Sequence, residues 1–532
     1  MKLLSRGFRL PLAALSGLLA GFAALAVAEL VSAAVRPESG PVIAVGGAAI
    51  DRTPPALKDW AIRHFGTNDK LVLQLGILGV LALLALVLGV LALRFRRIGA
   101  AGILLFGVVG ALAATSRPDS TSAADALPSV VGSLAGAGLL YLLIGRLTTP
   151  QSTAEAEGPP NDRMSVRADG WDRRGFVIAA SAAAAASAGA GLLGRSLNNS
   201  RGQGAVASRG KVLLPAPASA ARPIPPGAVL HTPGISPFVT PNGDFYRVDT
   251  ALVIPKVDAT AWRMKIHGKG VSRPLTLTFQ DLLKRQLIER DITLTCVSNE
   301  VGGPYVGNAR WIGVPLADLL KEAGVRPPSR GGPADQLVAR SVDGMTIGTP
   351  VEDIMDGRDA MLAVGMNGEP LPFVHGFPVR MVVPGLYGYV SACKWLQDLE
   401  LTTFADYDSY WVKRSWAQKA PIKTESRIDT PKPFARPKAG TVMVAGVAWA
   451  QHRGIDRVEV RVDDGPWTRA DLAAEDTTDT WRQWSLPWKA DSGPHTLTVR
   501  ATDRTGRTQT EQRTPTIPDG ASGWHSVVIT VD

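Results

Sequence analysis

A thiol is the side chain best suited to hold a soft or high-valent metal, and this chain of 532 residues has two, Cys296 and Cys393. Two cysteines allow one disulfide at most, and they cannot build a disulfide scaffold, a cysteine-based zinc site or an iron–sulfur cluster. Cys296 closes the β-like run Asp291-Ile292-Thr293-Leu294-Thr295 and opens a loop through Val297-Ser298-Asn299 and Gly302-Gly303-Pro304. A thiolate at a strand end, held by a sheet and facing an open loop, is well placed to ligate a metal. Taken alone, Cys296 also fits an inert core cysteine, or one half of a disulfide with Cys393 in an oxidising compartment. A second block runs His375-Gly376-Phe377-Pro378-Val379-Arg380-Met381-Val382-Val383-Pro384-Gly385-Leu386-Tyr387-Gly388-Tyr389, then Ser391-Ala392-Cys393-Lys394-Trp395. By itself this block could be a core strand whose Arg and Lys face solvent.

The elements that must position these residues follow from periodicity. Residues 237–430 mix short β-like runs (262–266, 291–295, 379–383) with short helical ones (279–285, 316–323) and have no repeated βαβ units, which indicates α+β. Residues 436–532 read as all-β, with β-rich runs at 441–449, 458–462, 481–486 and 495–501. Turn signals at Asp463-Asp464-Gly465 and Asp503-Arg504-Thr505-Gly506 separate them, giving a small immunoglobulin-like sandwich.

Together the cysteine loop and the second block closely resemble the sulfite oxidase family of molybdenum enzymes, over residues 237–532. The resemblance implies a sulfite oxidase fold, with an α+β molybdopterin-binding domain at 237–430 and an immunoglobulin-like dimerisation domain at 436–532. It implies that Cys296 ligates molybdenum, that molybdopterin supplies further sulfur ligands, and that Cys393 is an ordinary core residue. The pterin's pyrophosphate tail is an anion with several acceptor oxygens. It suits Arg380 as a planar fork, Lys394 as a point charge and His375 as a donor. Gly385 and Gly388 would let backbone N–H groups approach closely, and Ser391 and Asn299 complete the implied cofactor-binding set, Asn299 by local hydrogen bonding.

Other positions depart from the family pattern. Members that oxidise sulfite ring the metal with arginines and a tyrosine that stabilise a small dianion. Here Asn299-Glu300-Val301 carries a carboxylate where arginine is typical, and the family tyrosine falls at Trp416, which has no hydroxyl. Arg453 matches a pocket arginine from the sandwich domain if one deletion is allowed. Arg247 approximates an early pocket arginine, although Val248-Asp249 replaces the Asn-His that should follow. Cys296, Arg247, Arg453 and Trp416 form the candidate catalytic set. The implied activity is two-electron oxygen-atom transfer of the sulfite oxidase type on a small sulfur-containing substrate. The alternative is reduction of S-oxides such as methionine sulfoxide, which neutral or bulky substrates favour. A second alternative is a non-catalytic, membrane-tethered binding protein. The chain has no Cys-x-x-Cys-His haem-attachment motif, so electrons must pass through a separate carrier, and a homodimer through the C-terminal domain is implied.

Four apolar stretches, roughly 10–35, 71–93, 98–115 and 127–145, are each long enough to cross a bilayer as a helix, and a fifth, Ala-rich one spans 175–194. Residues 1–200 hold 18 Lys/Arg and 12 Asp/Glu, and the rest of the chain holds 39 and 35. The positive excess sits largely beside apolar runs, so it marks membrane orientation and excludes a nucleic-acid partner. Cations flanking the helices alternate in number and put the amino terminus inside. Five crossings then place everything after about residue 195 outside the cytoplasm. Asp172-Arg173-Arg174-Gly175-Phe176-Val177 resembles the twin-arginine export motif, so the fifth segment reads as a helix or signal anchor. The expected organisation is a four-helix membrane region (1–147), a cytoplasmic linker (148–174), the fifth helix (175–197) and a Pro/Ala/Gly-rich linker (198–236) ahead of the two outer domains. The expected product is a multi-pass, bacterial cell-membrane protein with its catalytic domain outside. The first four helices hold no histidine, so they cannot provide bis-histidine haem ligation.

Overall fold

The computed structural model describes residues 2–532 apart from 55–56, 58–59, 61–63, 66–68, 118–119, 121 and 149–172. The stretch read as a cytoplasmic linker (148–174) lies almost wholly outside the described residues, as does Asp172 of the arginine motif. The chain divides into two units, Met1–Gly204 with Thr250–Val253, and Ala205–Asp249 with Ile254–Asp532.

In the first unit the apolar stretches form helices Lys2–Ala34, Asp69–Arg94, Arg96–Thr115 and Leu127–Thr148, with a further short helix, Pro41–Arg52, that periodicity did not flag. With helix Arg173–Gly210, five are long and apolar enough to cross a membrane. Small residues make their contacts. A Cβ on Gly17 would stand 2.0 Å from the Ala85 carbonyl oxygen, and one on Gly132 would stand 2.4 Å from that of Ala24. The Gly17/Gly21 and Gly132/Gly136 spacings therefore let helices of this one chain approach closely. Arg36 pairs with Asp125 through two hydrogen bonds of 2.9 and 3.0 Å. Glu29 Oε1 accepts from Asn198 Nδ2 at 2.8 Å.

Helix Arg173–Gly210 corrects the expected linker boundary. The segment after residue 197 is rich in Asn, Ser, Gly and Ala but has no proline before Pro215, so nothing breaks the helix until Lys211. Residues 211–236 belong to the second unit. They run along the second unit, where Ser219 N–H donates to Leu287 O and Ser219 O accepts from Glu289.

The second unit begins with the α+β part. One sheet has the order β2-β1-β10-β5-β6, built from β1 (Arg263–Gly268), β2 (Leu275–Thr278), β5 (Gln336–Ser341), β6 (Thr346–Pro350) and β10 (Leu396–Thr402). The other has the order β3-β4-β7-β8, from β3 (Ile288–Thr295), β4 (Val306–Pro315), β7 (Met361–Met366) and β8 (Glu369–Pro370), with β9 (Arg380–Val382) paired to β7. The two sheets share a core that includes Met264, Phe279, Trp311, Met361 and Phe377. β11 (Glu425–Thr430), β12 (Gly440–Trp449), β15 (Asp471–Leu472) and β16 (Arg482–Ala490) then form one four-stranded sheet of the C-terminal part. β13 (Ile455–Val462), β14 (Thr468–Arg469), β17 (Gly493–Asp503) and β18 (His525–Val531) form another. Inward residues of both, among them Val444, Val458, Trp484, Leu497 and Ile529, meet in one core, as period-two alternation requires.

Gly132→Leu should force helices Lys2–Ala34 and Leu127–Thr148 apart and destabilise the bundle by about 3 kcal/mol or more. The detergent-solubilised variant should melt earlier than the parent, and an unchanged melting curve would contradict the close helix contact.

Candidate active site

Cys296 follows the last residue of β3, an edge strand of its sheet. Side chains alternate along a strand, so Thr293 and Thr295 point one way and Leu294 and Cys296 the other. Leu294 enters the α+β core, which fixes the face on which the sulfur emerges. Both cysteines are free and buried, so no disulfide competes for Cys296. Its backbone N–H donates to Tyr305 O at 2.9 Å, and its Sγ accepts from the Ser298 N–H at 3.4 Å. Asn299 closes the loop, its Oδ1 accepting from Tyr305 N at 2.7 Å. Glu300 lies exposed beyond it. Burial pushes the Cys296 thiol up, while the Ser298 hydrogen bonds and the Lys394 charge work the other way. Such a sulfur becomes thiolate most readily when a cation binds it.

Two cations from the second block are withdrawn from water close by. Arg380, on the buried strand β9, donates through Nη1 to His375 O at 3.3 Å and lies 4.9 Å from the Trp311 ring centre, while its Nε–H has no acceptor. Burial lowers its pKa to about 10. Lys394 Nζ pairs with Asp249 at 2.9 Å, and burial lowers it to about 8 against the pull of Asp249. Arg247 shares the same carboxylate at 2.8 Å. Asp343, also near Lys394, is pushed toward its neutral form by burial. Lys394 and Arg247 thus share one carboxylate, Asp249, while Arg380 has none among its hydrogen bonds, and a buried cation without a counter-charge is costly. An anion with several acceptor oxygens, such as a pterin pyrophosphate, would satisfy both the surplus charge and the orphaned Nε–H.

The other expected residues are placed as follows. His375 is buried and its Nε2 lies 2.9 Å from Asn242 O, so that nitrogen carries the proton and donates to the carbonyl. Burial, reinforced by Arg380, Lys394 and Arg247, lowers its pKa to about 4, outweighing that hydrogen bond. The ring is therefore neutral with its N–H committed, and it buttresses the 242–249 segment where a donor to an anion was expected. Gly385 adopts φ +83, and a Cβ there would meet His452 and Arg358, so its glycine serves the local turn. A Cβ on Gly388 would lie 3.7 Å from Thr295 O, 3.8 Å from the Ala392 Cβ and 3.9 Å from Tyr246 Oη, so this glycine stands beside the end of β3. Ser391 Oγ hydrogen-bonds within its own turn, to Leu386 O and Tyr387 O. Trp416 packs against Tyr389 and Trp411. Arg453 Nε pairs with buried Asp503 at 2.9 Å, and its Nη2 donates to Ile422 O and Thr424 Oγ1.

Asp249 and Tyr246 escaped the sequence reading. Asp249 is the counter-charge of Lys394, 145 residues away, and no local pattern announces that pairing. Tyr246 stacks on Phe245 and brings a phenol to the cysteine side of the pocket, near Gly388. The only available signal was its place in Phe245-Tyr246-Arg247.

A buried free thiol close to buried cations in an α+β scaffold fits a molybdopterin-binding oxidoreductase domain. A family model described as "Oxidoreductase molybdopterin binding domain" matches residues 251–411. The chain is 31% identical over 159 residues to an uncharacterized oxidoreductase, YuiH, of Bacillus subtilis (strain 168), covering 30% of this chain and 74% of that protein. It is 30% identical over 293 residues to the mitochondrial sulfite oxidase of Mus musculus, covering 47% of this chain and 53% of that one. Among solved structures, the sulfane dehydrogenase SoxCD from Paracoccus pantotrophus aligns with a TM-score of 0.47 at 24% identity, over 59% of this chain and 90% of that one. The chain belongs to the sulfite oxidase family of molybdopterin-binding oxidoreductases, whose cofactor is molybdenum held by molybdopterin. It spans about half the length of the sulfite oxidases it matches.

Arg380→Met should lower the molybdenum and pterin that purify with the chain by about tenfold or more, because a charge-assisted contact to the anion is lost. Metal analysis and the fluorescence of oxidised pterin measure this, and full occupancy would contradict the role. Asp503 gives a pH test. Burial raises its pKa, but hydrogen bonds from Thr505, Thr424, Arg453 and the Arg507 N–H outweigh this and lower it to about 2. A carboxyl held below its usual range stabilises the fold above its unfolded pKa and loses that contribution as pH falls through about 2. Asp503→Asn should therefore be less stable than the parent at neutral pH by about 2 kcal/mol, with the gap closing in strong acid. Denaturant titrations at two pH values would show it.

Proposed function

We propose that this protein is a membrane-anchored, extracytoplasmic molybdenum oxidoreductase that carries out two-electron oxygen-atom transfer at the sulfur of a small substrate, in the manner of a sulfite oxidase. The observation that carries this reading is the free, buried thiol of Cys296 at the end of β3, with the buried cation Lys394 close to it and the buried Arg380 on the far side of Tyr246. Bound molybdenum would supply the two-electron oxygen-atom chemistry. Cys296 would be its protein ligand, and Arg380 and Lys394 would hold the anionic tail of the pterin. Asn299 and Ser298 keep the cysteine loop closed. Trp416, Arg247 and Arg453 would border the substrate.

A second reading, reduction of a neutral S-oxide, draws on two ion pairs. Arg247 and Arg453, which would have to cage a sulfite dianion, already pair with Asp249 and Asp503 at 2.8 and 2.9 Å. Trp416 adds no hydroxyl. Five apolar helices and the cations flanking them support membrane anchoring with the second unit outside, its electrons passing to or from a separate carrier. The two facing sheets at the C-terminus fit an immunoglobulin-like sandwich, through which the chain would dimerise.

Cys296→Ser should abolish turnover with the fold intact, since a hydroxyl is a poor substitute for thiolate. Sulfite oxidation and sulfoxide reduction, both followed with artificial electron carriers, discriminate the two substrates. Activity retained in the serine variant would refute the ligand role, and a parent protein without stoichiometric molybdenum would point to a non-catalytic binding protein. Replacing Arg173 and Arg174 by Lys should leave the second unit protected from protease in spheroplasts. Unchanged cleavage would remove the folded-export idea.

A further inference from the structure

β3 is an edge strand, and an uncovered edge leaves a row of backbone N–H and C=O groups unpaired. Near its start, Ser219 covers that edge. Near its end, next to Cys296, the C-terminal β part covers it. Thr293 N–H donates to Asp479 O at 2.9 Å, and Trp481 N–H donates to Thr293 Oγ1 at 2.7 Å. Gln451, fully buried just after β12, uses Nε2 twice, donating to Thr293 O and to Thr295 Oγ1, each at 3.0 Å. Beyond the cysteine, Arg427 of β11 donates through Nη1 to Gly303 O at 2.8 Å, with its Nε held by Asp429 at 2.7 Å. The His525 ring lies so close to Gly302 that a Cβ there would be 2.1 Å away.

We propose that the C-terminal β part acts as a clamp on the cysteine-bearing segment, with Gln451 and Arg427 as positioning residues that fix the direction and reach of the Cys296 sulfur. Gln451 ties down the Thr293 carbonyl and the Thr295 hydroxyl together, which holds the last residues of β3 in place and so fixes the direction in which the chain enters Cys296. A slip or twist at this strand end would turn the sulfur away from the pocket. Gln451 also leaves its Oε1 buried without a partner. That side chain therefore accepts an unsatisfied acceptor in order to place two donors on this strand, which a residue serving packing alone would not require. A dimerisation role for the same part does not account for these contacts, because they all lie within one chain.

The proposal rests on the reading of Cys296 as the metal ligand, and the test separates the two. Gln451→Glu keeps the size of the side chain but replaces the donating amide with a carboxylate facing two oxygens, and Arg427→Lys keeps the charge but loses the fork. Hydrogen exchange of the full-length, cofactor-free proteins in detergent would be read by mass spectrometry. Amides of 293–305 should exchange about tenfold faster in Gln451→Glu and less so in Arg427→Lys, with the β2-β1-β10-β5-β6 sheet unaffected. In the loaded proteins, the Mo(V) electron paramagnetic resonance signal should shift in Gln451→Glu while molybdenum content is kept. Unchanged exchange and an unchanged signal in both variants would overturn the clamp, as would exchange raised uniformly across the unit. Cys296→Ser is the control: a parental Mo(V) signal there sinks the ligand reading itself, whereas a lost signal beside unaltered Gln451→Glu sinks only the clamp.

Discussion

Charge withdrawn from water without a matching opposite charge is the constraint around which the second unit is organised. Arg380 sits on a strand whose three residues are all buried, and its guanidinium has one backbone acceptor, one indole face and a nitrogen with no acceptor. Lys394 and Arg247 both draw on Asp249. A fold that keeps such an arrangement would be destabilised if it had nothing else to bind, because desolvation of an ion exceeds what a single shared carboxylate returns. The pocket is therefore unsatisfied by the protein alone in the way that a site for a polyanionic cofactor must be, and His375, neutral and tied to Asn242, adds no further positive charge.

The second constraint is that a thiol must approach the pocket from a fixed direction. A loop cysteine could sample many orientations. A cysteine following an edge strand inherits its direction from the residues before it, so the fold invests in that strand from three sides: β4 by ladder pairing, Ser219 near its start, and the C-terminal part near its end. The segment 211–236 and the C-terminal sheets, which might look like a tether and an appendage, are both used to cover one edge. This explains why the second unit behaves as a single compact body even though the sequence separates it into an α+β and an all-β portion.

What the sequence revealed and what it hid follow from the range of the interactions. Cys296 at the end of a β-rich run was legible because Ile292, Thr293 and Thr295 state a strand locally, and β3 occupies 288–295. Arg380 and Lys394 were legible because they stand in one contiguous block with the glycines. Four strands of the C-terminal part, β12, β13, β16 and β17, were legible from alternation and from Asp-Gly and Thr-Gly turns, whereas β18 was not read and β11, placed with the α+β part at 237–430, pairs with β12 instead. Contacts between distant segments were not: Asp249 with Lys394, Gln451 with Thr295, Asn198 with Glu29. The helix running on to Gly210 was missed because a polar, small-residue stretch lowers helix propensity without forbidding it, and no proline intervenes.

Pairing also sets how much of the positive charge is left for a substrate. An arginine with a carboxylate 2.8 or 2.9 Å away presents a dipole rather than a net charge to a third group several ångströms off, and its field falls away faster with distance. For Arg247 or Arg453 to hold a dianion, each would have to leave a carboxylate that is itself buried, Asp249 or Asp503. Asp503 is further fixed by Thr424, Thr505 and the Arg507 N–H, so the Arg453 pair is the harder of the two to open. Asp249 could keep Lys394 if Arg247 moved away, which makes Arg247, largely exposed and paired within its own segment, the cation freer to turn toward an incoming oxyanion. In the proposed reaction the balance between a sulfite-like and an S-oxide-like substrate therefore rests on one side chain. Its alternative partner is two residues away in the chain, and Trp416 offers no hydroxyl to take its place.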